Sequence, residues 1–262
     1  MKDITIIVPI HKFSEESDGK LLRLALNSVV KCQENYDDKL SVVTVGPVDI
    51  KEVVENILTE VFGGTELKFE YIVNKGKCDF CSQINFAVKH VKTSFFSILE
   101  MDDQYFPKWF KLAKAYYPTR EDVAVFLPIN IQNDGETSQY CNEMVWAMSF
   151  SNEQGVVDAD CLKVSAAFNL TGAIFNTKDF KRVKGYDSKI DVAFNYELLM
   201  RMTKEYGLKI YVVPRIGYCH LIGRKGSLLE YYNDTFTEEA AQECFNAVRR
   251  KYVTDDEDSS DK

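Results

Sequence analysis

Apolar and polar positions alternate over the first hundred residues in a way that predicts four strands separated by three helices. Runs rich in β-branched and aromatic residues, typical of buried strands, cover residues 4–8, 40–45, 69–73 and 95–99. Between these runs, apolar residues recur at helical spacing over residues 18–36, 50–62 and 78–91. Strands that alternate with helices in this way are typical of a parallel sheet covered on both faces.

A parallel sheet of this kind predicts where the chemistry lies. Ligands of such sheets bind beyond the carboxyl ends of the strands. We therefore expect functional side chains just after Val8, Val45, Val73 and Leu99.

The second half of the chain has a less regular pattern. It predicts strands at residues 123–127 and 210–213, a strand pair within 140–150, and helices at 177–183, 192–206 and 238–252. No internal repeat and no linker rich in Pro, Gly or Ser divides the sequence. We therefore predict one domain over residues 1–253 and a frayed acidic tail over residues 254–262.

Composition narrows the class of protein. The 262 residues carry a net charge of -8, which disfavours nucleic-acid binding through bulk charge. No apolar stretch approaches the roughly 20 residues that a membrane helix needs, and the N-terminus lacks a signal-peptide pattern. The seven cysteines are an odd number and predict reduced thiols in the cytoplasm. One CxxC pair, Cys78 and Cys81, has no second pair at zinc-site spacing, so ordinary helix burial is the favoured interpretation.

Three carboxylates follow the fourth predicted strand at once. Glu100, Asp102 and Asp103 repel one another there, and a divalent cation would neutralise them. Carboxylate oxygens suit Mg²⁺ or Mn²⁺, which also take phosphate oxygens and water. The alternative is a solvated turn that caps a helix beginning near Pro107, because Asp is favourable at a helix N-terminus.

Four segments resemble the motifs of family 2 glycosyltransferases. The acidic segment ILEMDDQYFP (98–107) is similar to that family's hhDxDDxxxP motif, and IIVPIH (6–11) resembles its opening strand. NKGK (74–77) with Asn85 resembles the stretch before the acidic motif, and LTGAIF (170–175) with VKGYD (183–187) resembles the acceptor-side segment. The resemblance implies a GT-A fold, which is α/β with a mostly parallel central sheet flanked by helices.

The resemblance also implies an activity: a metal-dependent, inverting transfer of a sugar from a nucleotide-diphosphate sugar, with UDP as the expected nucleotide, to an acceptor hydroxyl. Asp102 matches the carboxylate that coordinates the metal between the donor phosphates, and Asp103 follows it as in the family. Glu100 stands where the family has its first Asp, in contact with the donor.

Other donor contacts follow from position in the motifs. Pro9 and His11 match the loop that meets the nucleotide base, and Lys75 and Lys77 lie where cations meet the nucleotide. A solvated loop is the alternative for both lysines. The usual acidic residues after the second strand are replaced by VGPVD (45–49), so a base other than uracil stays open.

A basic loop after the last predicted strand resembles the family's donor-closing loop. It contains His220, a competent Mn²⁺ ligand, and then Arg224, Lys225 and Ser227, which would hold the departing diphosphate. We expect His220 to contact the metal or the diphosphate, with a buried structural histidine as the alternative. The lone His90 is expected to have a structural role at a helix C-terminus.

The general base is the weakest match to the family. The family offers an acidic pair in the helix that here reads FNYELLMR (194–201), and Phe194 and Asn195 replace that pair. Glu197 and Asp191 are the available carboxylates, while Glu197 with Arg201 also fits a simple i,i+4 ion pair. Gly172 and Asn195 match positions on the acceptor side.

Three alternatives remain open on sequence alone. A second DxD-like sequence, Asp158 to Asp160, is disfavoured as the metal site because only a short apolar run precedes it. A sugar-phosphate nucleotidyltransferase is disfavoured because the loop after the first strand lacks glycine. A catalytically inactive domain that binds a nucleotide sugar or a partner is favoured by the missing acidic pair.

The identity of the acceptor is open. It could be a glycan, a lipid-linked or protein acceptor, or a modified DNA base if the chain is one of the phage-encoded members that it also resembles.

Overall fold

The structure is a computed structural model that describes residues 1–223 and 227–253, without the side chains of residues 228, 229 and 233. Within that part of the chain, one sheet contains β1 (Ile4–Pro9), β2 (Leu40–Gly46), β3 (Lys68–Val73), β4 (Phe95–Ile98), β5 (Gln104–Tyr105), β6 (Val123–Asn133), β7 (Ser138–Cys141), β8 (Val156–Val157), β9 (Ile174–Asn176) and β10 (Lys209–Leu221). The helices are α1 (Glu15–Gln33), α2 (Lys51–Phe62), α3 (Phe80–Val88), α4 (Trp109–Tyr116), α5 (Ala159–Val164), α6 (Thr177–Arg182), α7 (Phe194–Met200), α8 (Leu228–Thr235) and α9 (Glu238–Tyr252).

The sheet is mostly parallel. Its main path is β3-β2-β1-β4-β9-β6-β10-β5, with β7 paired to β6 and β8 paired to β10. The first four strands of this path are parallel to one another, and β9 is antiparallel to both β4 and β6. Because β6 and β10 are parallel to each other, both point the same way as β1 and β4. The carboxyl ends of β1, β4 and β10 therefore share one edge of the sheet.

Alternating side chains of the sheet belong to two cores. Ile6 and Val8 of β1 belong to a core shared with α1, α2 and α4. Ile7, which points the opposite way, belongs to a second core shared with α3, α5, α6, α7 and α9. The nearly continuous apolar run of β1 reflects this burial on both faces.

The predicted strands and helices of the first hundred residues are confirmed within a few residues at each end. The predicted strands at residues 123–127 and 210–213 are parts of the longer β6 and β10. The predicted strand pair within residues 140–150 is wrong. Only β7 is a strand there, and the chain turns away at Asn142, which has φ +76° and donates hydrogen bonds from Nδ2 to the carbonyl oxygens of Pro128 and Asn169.

Two further predictions concern membrane-spanning helices and the C-terminal residues. Within the described part of the chain, none of the helices combines the length and the apolar character that a membrane span requires. The predicted acidic tail over residues 254–262 lies outside the described residues, as do Arg224 and Lys225.

Candidate functional site

The three carboxylates occupy a tight turn directly after β4, which we call the acidic turn (residues 100–103). The amide of Leu99 still donates to the carbonyl of Ile7 in β1, at 2.9 Å, and the amide of Asp103 then donates to the carbonyl of Glu100, at 3.1 Å. β5 follows at once and pairs antiparallel with Tyr218 and Cys219 of β10. This pairing brings the acidic turn beside His220.

Asp103 and His220 form the central polar contact of the site. Oδ2 of Asp103 lies 2.9 Å from Nδ1 of His220, and Oδ1 accepts a hydrogen bond from the amide of Leu221 at 2.8 Å. Asp103 is fully buried. Burial alone would lower the pKa of His220, but the hydrogen bond and the charge of Asp103 outweigh it and raise the pKa to about 9. At neutral pH the imidazole therefore carries a positive charge, and a cation that bound Nε2 would displace the proton of that nitrogen.

The residues around this pair fit a divalent cation. Glu100, Asp103 and His220 each offer a ligand atom, and these atoms lie within 4.8 Å of one another. Carboxylate oxygen and imidazole nitrogen are both ligands of Mn²⁺. This set contains two of the three residues predicted as metal ligands, Asp103 and His220, together with Glu100, which was expected to touch the donor. Asp102 is not among these three residues, although it lines the adjacent cleft.

A cleft of about 760 Å³ opens beside the acidic turn, at the carboxyl edge of the sheet. A volume of this size is typical of small-molecule sites. The cleft brings together many of the residues that the sequence singled out: Pro9, His11, Lys77, Glu100, Asp102, Asp191, His220 and Ser227. The cleft therefore lies beyond the ends of β1, β3 and β4, as expected, but the residues that directly follow β2 do not belong to its lining.

The loop after β3 explains why only one of the two predicted lysines reaches the cleft. Asn74 is buried and shapes this loop: its Nδ2 donates to the carbonyl of Lys77 at 2.8 Å, and its Oδ1 accepts from the amide of Gly76 at 2.9 Å. Lys77 lines the cleft as a result, whereas Lys75 is exposed and does not belong to its lining. The position of Lys75 matches the solvated alternative.

Glu197 lies away from the cleft. It is fully buried in α7, and its carboxylate accepts hydrogen bonds from Arg201 at 2.7 and 3.0 Å, from Lys251 at 3.2 Å and from Tyr252 at 2.5 Å. Burial would raise the pKa of Glu197, but these hydrogen bonds, led by that from Arg201, lower it overall. The position matches the i,i+4 ion pair rather than a base that meets substrate. Asp191, the other predicted carboxylate, is exposed and lines the cleft.

Gly172, expected on the acceptor side, packs against Tyr218, which in turn contacts the acidic turn. Its backbone has φ +73°, and a Cβ atom there would lie 2.4 Å from the ring of Tyr218. The close approach allows its carbonyl to accept a hydrogen bond from Nε1 of Trp109 at 3.0 Å. The hydroxyl of Tyr218 in turn accepts a hydrogen bond from the amide of Glu100 at 3.0 Å. Gly172 therefore determines where Tyr218 holds the acidic turn.

Asn195 lines a second, much smaller cavity of about 40 Å³, which shares Glu100 and Phe80 with the cleft. We call this cavity the side chamber. The Oδ1 atom of Asn195 is buried and has no hydrogen-bond partner. Asn195 therefore lies near the acidic turn, although no negative charge stands at this position.

Several cleft residues carry no signal in the sequence. Gln83 of α3 is fully buried and lines the cleft, with Nε2 donating to the carbonyl of Cys78 and Oε1 without a partner. Tyr231 and Tyr232 of α8 also line the cleft, with ring centroids 5.7 Å apart. A buried polar residue in the first turn of a helix, as at Gln83, is the one pattern that could have singled out a site residue.

Both members of the CxxC pair also line the cleft. Burial raises the pKa of the Cys78 thiol and of the Cys81 thiol. Raised pKa values keep both groups protonated and poor as nucleophiles or metal ligands. Cys81 is buried in α3, as the sequence interpretation expects, whereas Cys78 precedes the helix and is only half-buried.

The other residues that the sequence left open have structural roles. Asp158 caps α5 by accepting from the amide of Cys161 at 2.8 Å, and Asp160 pairs with Lys163 at 3.2 Å. Nδ1 of His90 lies 3.2 Å from the carbonyl oxygen of Phe86, at the end of α3. None of these side chains belongs to the cleft lining.

Comparisons with known proteins place this geometry in context. No protein-family model and no curated protein matches the chain. Among solved structures, S. aureus TarS 1-349 matches with a TM-score of 0.63 and 18% identity over 100% of this chain and 76% of that chain. The same TarS fragment in complex with UDP-GlcNAc matches with a TM-score of 0.64 and 17% identity, over 97% and 74%.

A second kind of match is the mannosyltransferase PcManGT from Pyrobaculum calidifontis in complex with GDP-Man and Mn²⁺. Its TM-score is 0.64 at 13% identity, over 96% of this chain and 70% of that chain. At such low identities the likeness is one of fold. The chain therefore has the GT-A-type α/β fold, with a mostly parallel central sheet flanked by helices, that its sequence motifs predict.

Proposed function

We propose that this chain is a metal-dependent glycosyltransferase that moves a sugar from a nucleotide-diphosphate sugar, with UDP as the expected nucleotide, to an acceptor hydroxyl. One observation carries the proposal: His220, which is held by the buried Asp103, lines the cleft together with the carboxylates of Glu100 and Asp102. The fold shared with structures that hold UDP-GlcNAc or GDP-Man with Mn²⁺ supports it.

Asp103 and His220 are arranged as a metal-binding histidine and its supporting carboxylate usually are. Such a histidine binds the metal through one ring nitrogen and donates the N–H of the other to a carboxylate. Asp103 occupies Nδ1 of His220, which leaves Nε2 for a cation. We infer that His220, Glu100 and Asp102 hold Mn²⁺ or Mg²⁺, and that Asp103 orients His220. When bound, the cation would stabilise the negative charge of the departing diphosphate.

The remaining cleft residues divide between the two ends of the donor. We assign Pro9, at the end of β1, and His11 to the nucleotide base and Lys77 to the phosphates, because all three residues line the cleft. Ser227 stands at the start of α8, where its Oγ accepts from the amide of Glu230. The predicted diphosphate contacts Arg224 and Lys225 immediately precede it, outside the described residues, and stay predictions.

Asp191 is the carboxylate that we assign as general base. An exposed carboxylate in the cleft can take a proton from an acceptor hydroxyl, whereas Glu197 has all its hydrogen-bonding capacity directed to Arg201, Lys251 and Tyr252. Attack by the acceptor from the face opposite the diphosphate would invert the anomeric centre.

The acceptor and the compartment are also proposals. All seven cysteines are free thiols, which supports a reducing, cytoplasmic compartment. Among the described residues that line the cleft, acids outnumber lysines, and these acids include Asp79, Asp191, Glu230 and Asp234. This charge favours a neutral glycan, lipid-linked or protein acceptor over a modified DNA base.

Calorimetry with UDP and Mn²⁺ tests the donor site. We expect binding by the wild-type chain, and a loss of at least about tenfold in Asp102→Asn, because the charge that supports the cation is removed. Asp160→Asn is the matched control, since Asp160 is an exposed carboxylate on α5 that pairs with Lys163. Equal affinities of wild type and Asp102→Asn would contradict the proposed metal site.

Asn195 in place of an acidic residue also favours a second candidate, a domain that binds a nucleotide sugar without turnover. Release of UDP from a UDP-sugar in the presence of Mn²⁺ distinguishes the two functions. Turnover that is absent in Asp102→Asn supports the transferase, whereas tight binding without release of UDP supports the binding domain.

A further inference from the structure

The side chamber adjoins the cleft at the acidic turn. Phe80 and Glu100 line both cavities, so a ligand at the acidic turn lies next to the chamber. Its volume is about 40 Å³, and one water molecule needs roughly 10–15 Å³ by the same measure. The chamber therefore has room for a substituent of a few heavy atoms and is too small for a sugar ring.

Most of the chamber wall is apolar and rigid. The rings of Phe80, Tyr186 and Phe194 contact one another, with centroids 5.5 to 5.9 Å apart, and Ile98 and Leu170 add to this apolar part of the wall. Tyr186 is buried, and its backbone amide and carbonyl are both bound to the side-chain amide of Asn85, at 2.9 and 2.8 Å. A wall of packed rings favours a methyl group over a hydroxyl group.

Three residues with short or charged polar side chains also line the chamber: Glu100, Thr171 and Asn195. The Thr171 hydroxyl is bonded to Asn130 and Asn169, whereas the side-chain carbonyl oxygen of Asn195 is buried and has no hydrogen-bond partner. An unsatisfied buried acceptor is unfavourable, and such groups are rare in folded proteins. Because a carbonyl oxygen only accepts, a ligand that satisfies it must bring an N–H or O–H group.

We propose, on the basis of the glycosyltransferase function above, that the side chamber selects a donor whose sugar carries an acetamido group. The N–H of that group would donate to Oδ1 of Asn195, and its methyl group would pack on the aromatic wall. A carboxylate substituent is excluded, since it would face both the Asn195 oxygen and the Glu100 side chain. Asn195, which motif position puts on the acceptor side, thus becomes a specificity residue for the donor.

The test compares three probes by calorimetry with Mn²⁺: UDP, UDP-glucose and UDP-N-acetylglucosamine. The wild-type chain is expected to bind the acetamido sugar nucleotide about tenfold more tightly than UDP-glucose, a difference of the size that one buried hydrogen bond supports. In Asn195→Ala and Asn195→Leu, this preference is expected to disappear while the affinity for UDP stays the same. The unchanged UDP affinity shows that the variants are folded.

The outcomes separate the two proposals. If UDP fails to bind to the wild type, the proposed donor site is wrong, and the side-chamber proposal, which rests on it, is wrong as well. If UDP binds but the two sugar nucleotides bind equally well, the chamber holds water only and the acetamido proposal alone is overturned. A wild-type preference that persists in both Asn195 variants would overturn the acetamido proposal in the same way.

Discussion

Asp103 and His220 are 117 residues apart in the chain and are joined by a hydrogen bond of 2.9 Å. The contact connects the acidic turn after β4 to the end of β10, two segments that reach the same edge of the sheet because their strands run parallel. The carboxylate is buried and also holds the amide of Leu221. The imidazole is therefore fixed in one orientation before any ligand arrives.

The first prediction concerns this orientation. We expect Asp103→Asn to lower the affinity for Mn²⁺, measured in the presence of UDP, by about 10- to 100-fold. This is the usual effect of removing the partner of a metal-binding histidine. His220→Asn is expected to lower this affinity at least as much. Titration of Mn²⁺ at a fixed UDP concentration measures both effects.

The matched control is His90→Asn. His90 is exposed at the end of α3, and its Nδ1 lies 3.2 Å from the carbonyl of Phe86. This variant is expected to keep the wild-type Mn²⁺ response. If His220→Asn and His90→Asn gave the same Mn²⁺ titration of UDP binding, the cation would not bind at this edge of the sheet.

A second prediction follows from the contact between Gly172 and Tyr218. In Gly172→Ala, the new Cβ atom would lie 2.4 Å from the Tyr218 ring at a backbone φ of +73°. Tyr218 must move, and its hydrogen bond to the amide of Glu100 must move with it. We expect a loss of stability of at least about 2 kcal/mol, together with weaker UDP binding. Thermal unfolding and calorimetry measure the two effects.

Gly207→Ala is the control for backbone strain. Gly207 has φ +59°, and a Cβ atom there would meet nothing within 4 Å. This substitution is expected to cost about 1 kcal/mol and to leave UDP binding unchanged. Equal losses of binding in the two variants would exclude a specific role for the Gly172–Tyr218 contact.

The half of the fold that the sequence predicts best is the half with strong local patterns. β1, β2 and β4 are buried on both faces, so each appears as a mostly apolar run of four to seven residues, whereas the edge strand β3 is only partly buried. β9 has three residues, and β5 and β8 have two. Segments this short carry no periodicity, so their pairing with distant strands determines that they are strands.

The candidate site shows the same division. Residues next to a strand end, such as Pro9, Lys77 and Glu100, are predictable because the edge of a parallel sheet is predictable. The role of Glu197 depends instead on contacts with Lys251 and Tyr252 of α9, which lie 54 and 55 residues away. Spacing within a helix cannot distinguish a carboxylate that faces a cleft from one that faces another helix.

A third prediction concerns Glu197 as a structural residue. Glu197→Gln leaves the charge of the mostly buried Arg201 without its counterion, and we expect a loss of about 3 kcal/mol at pH 7. Arg201 also donates to the carbonyl of Gly185 at 2.7 Å, so the turn before Tyr186 loses support. Urea denaturation measures the loss, and Glu243→Gln, in an exposed pair with Arg250, is expected to change little.

The pH dependence of this effect has a definite sign. The pKa of Glu197 is lower in the folded chain than the ordinary value of 4.5. Its contribution to stability is therefore complete above that value and is lost as the pH falls through the folded pKa. The difference in stability between wild type and Glu197→Gln should be constant from pH 7 to pH 5 and should shrink below pH 4.5. A difference that grows on acidification would contradict this assignment.

The last prediction separates the two carboxylates that were considered for the general base. Asp191 is exposed in the cleft, and its replacement by Asn preserves shape while removing the group that accepts a proton. We expect Asp191→Asn to reduce the rate of UDP release from a UDP-sugar by about 10²- to 10⁴-fold, with water as the acceptor, while the affinity for UDP stays unchanged. Asp187→Asn is the matched control. It lies four residues earlier in the same segment, its Oδ1 accepts from the amide of Lys189, and it does not belong to the cleft lining. The comparison with Glu197→Gln then decides which carboxylate is the general base. That variant should lose stability while its folded fraction keeps its turnover rate. If the folded fraction of Glu197→Gln lost turnover and Asp191→Asn kept it, the buried carboxylate would have to reach the cleft during the reaction, which would require α7 and α9 to separate.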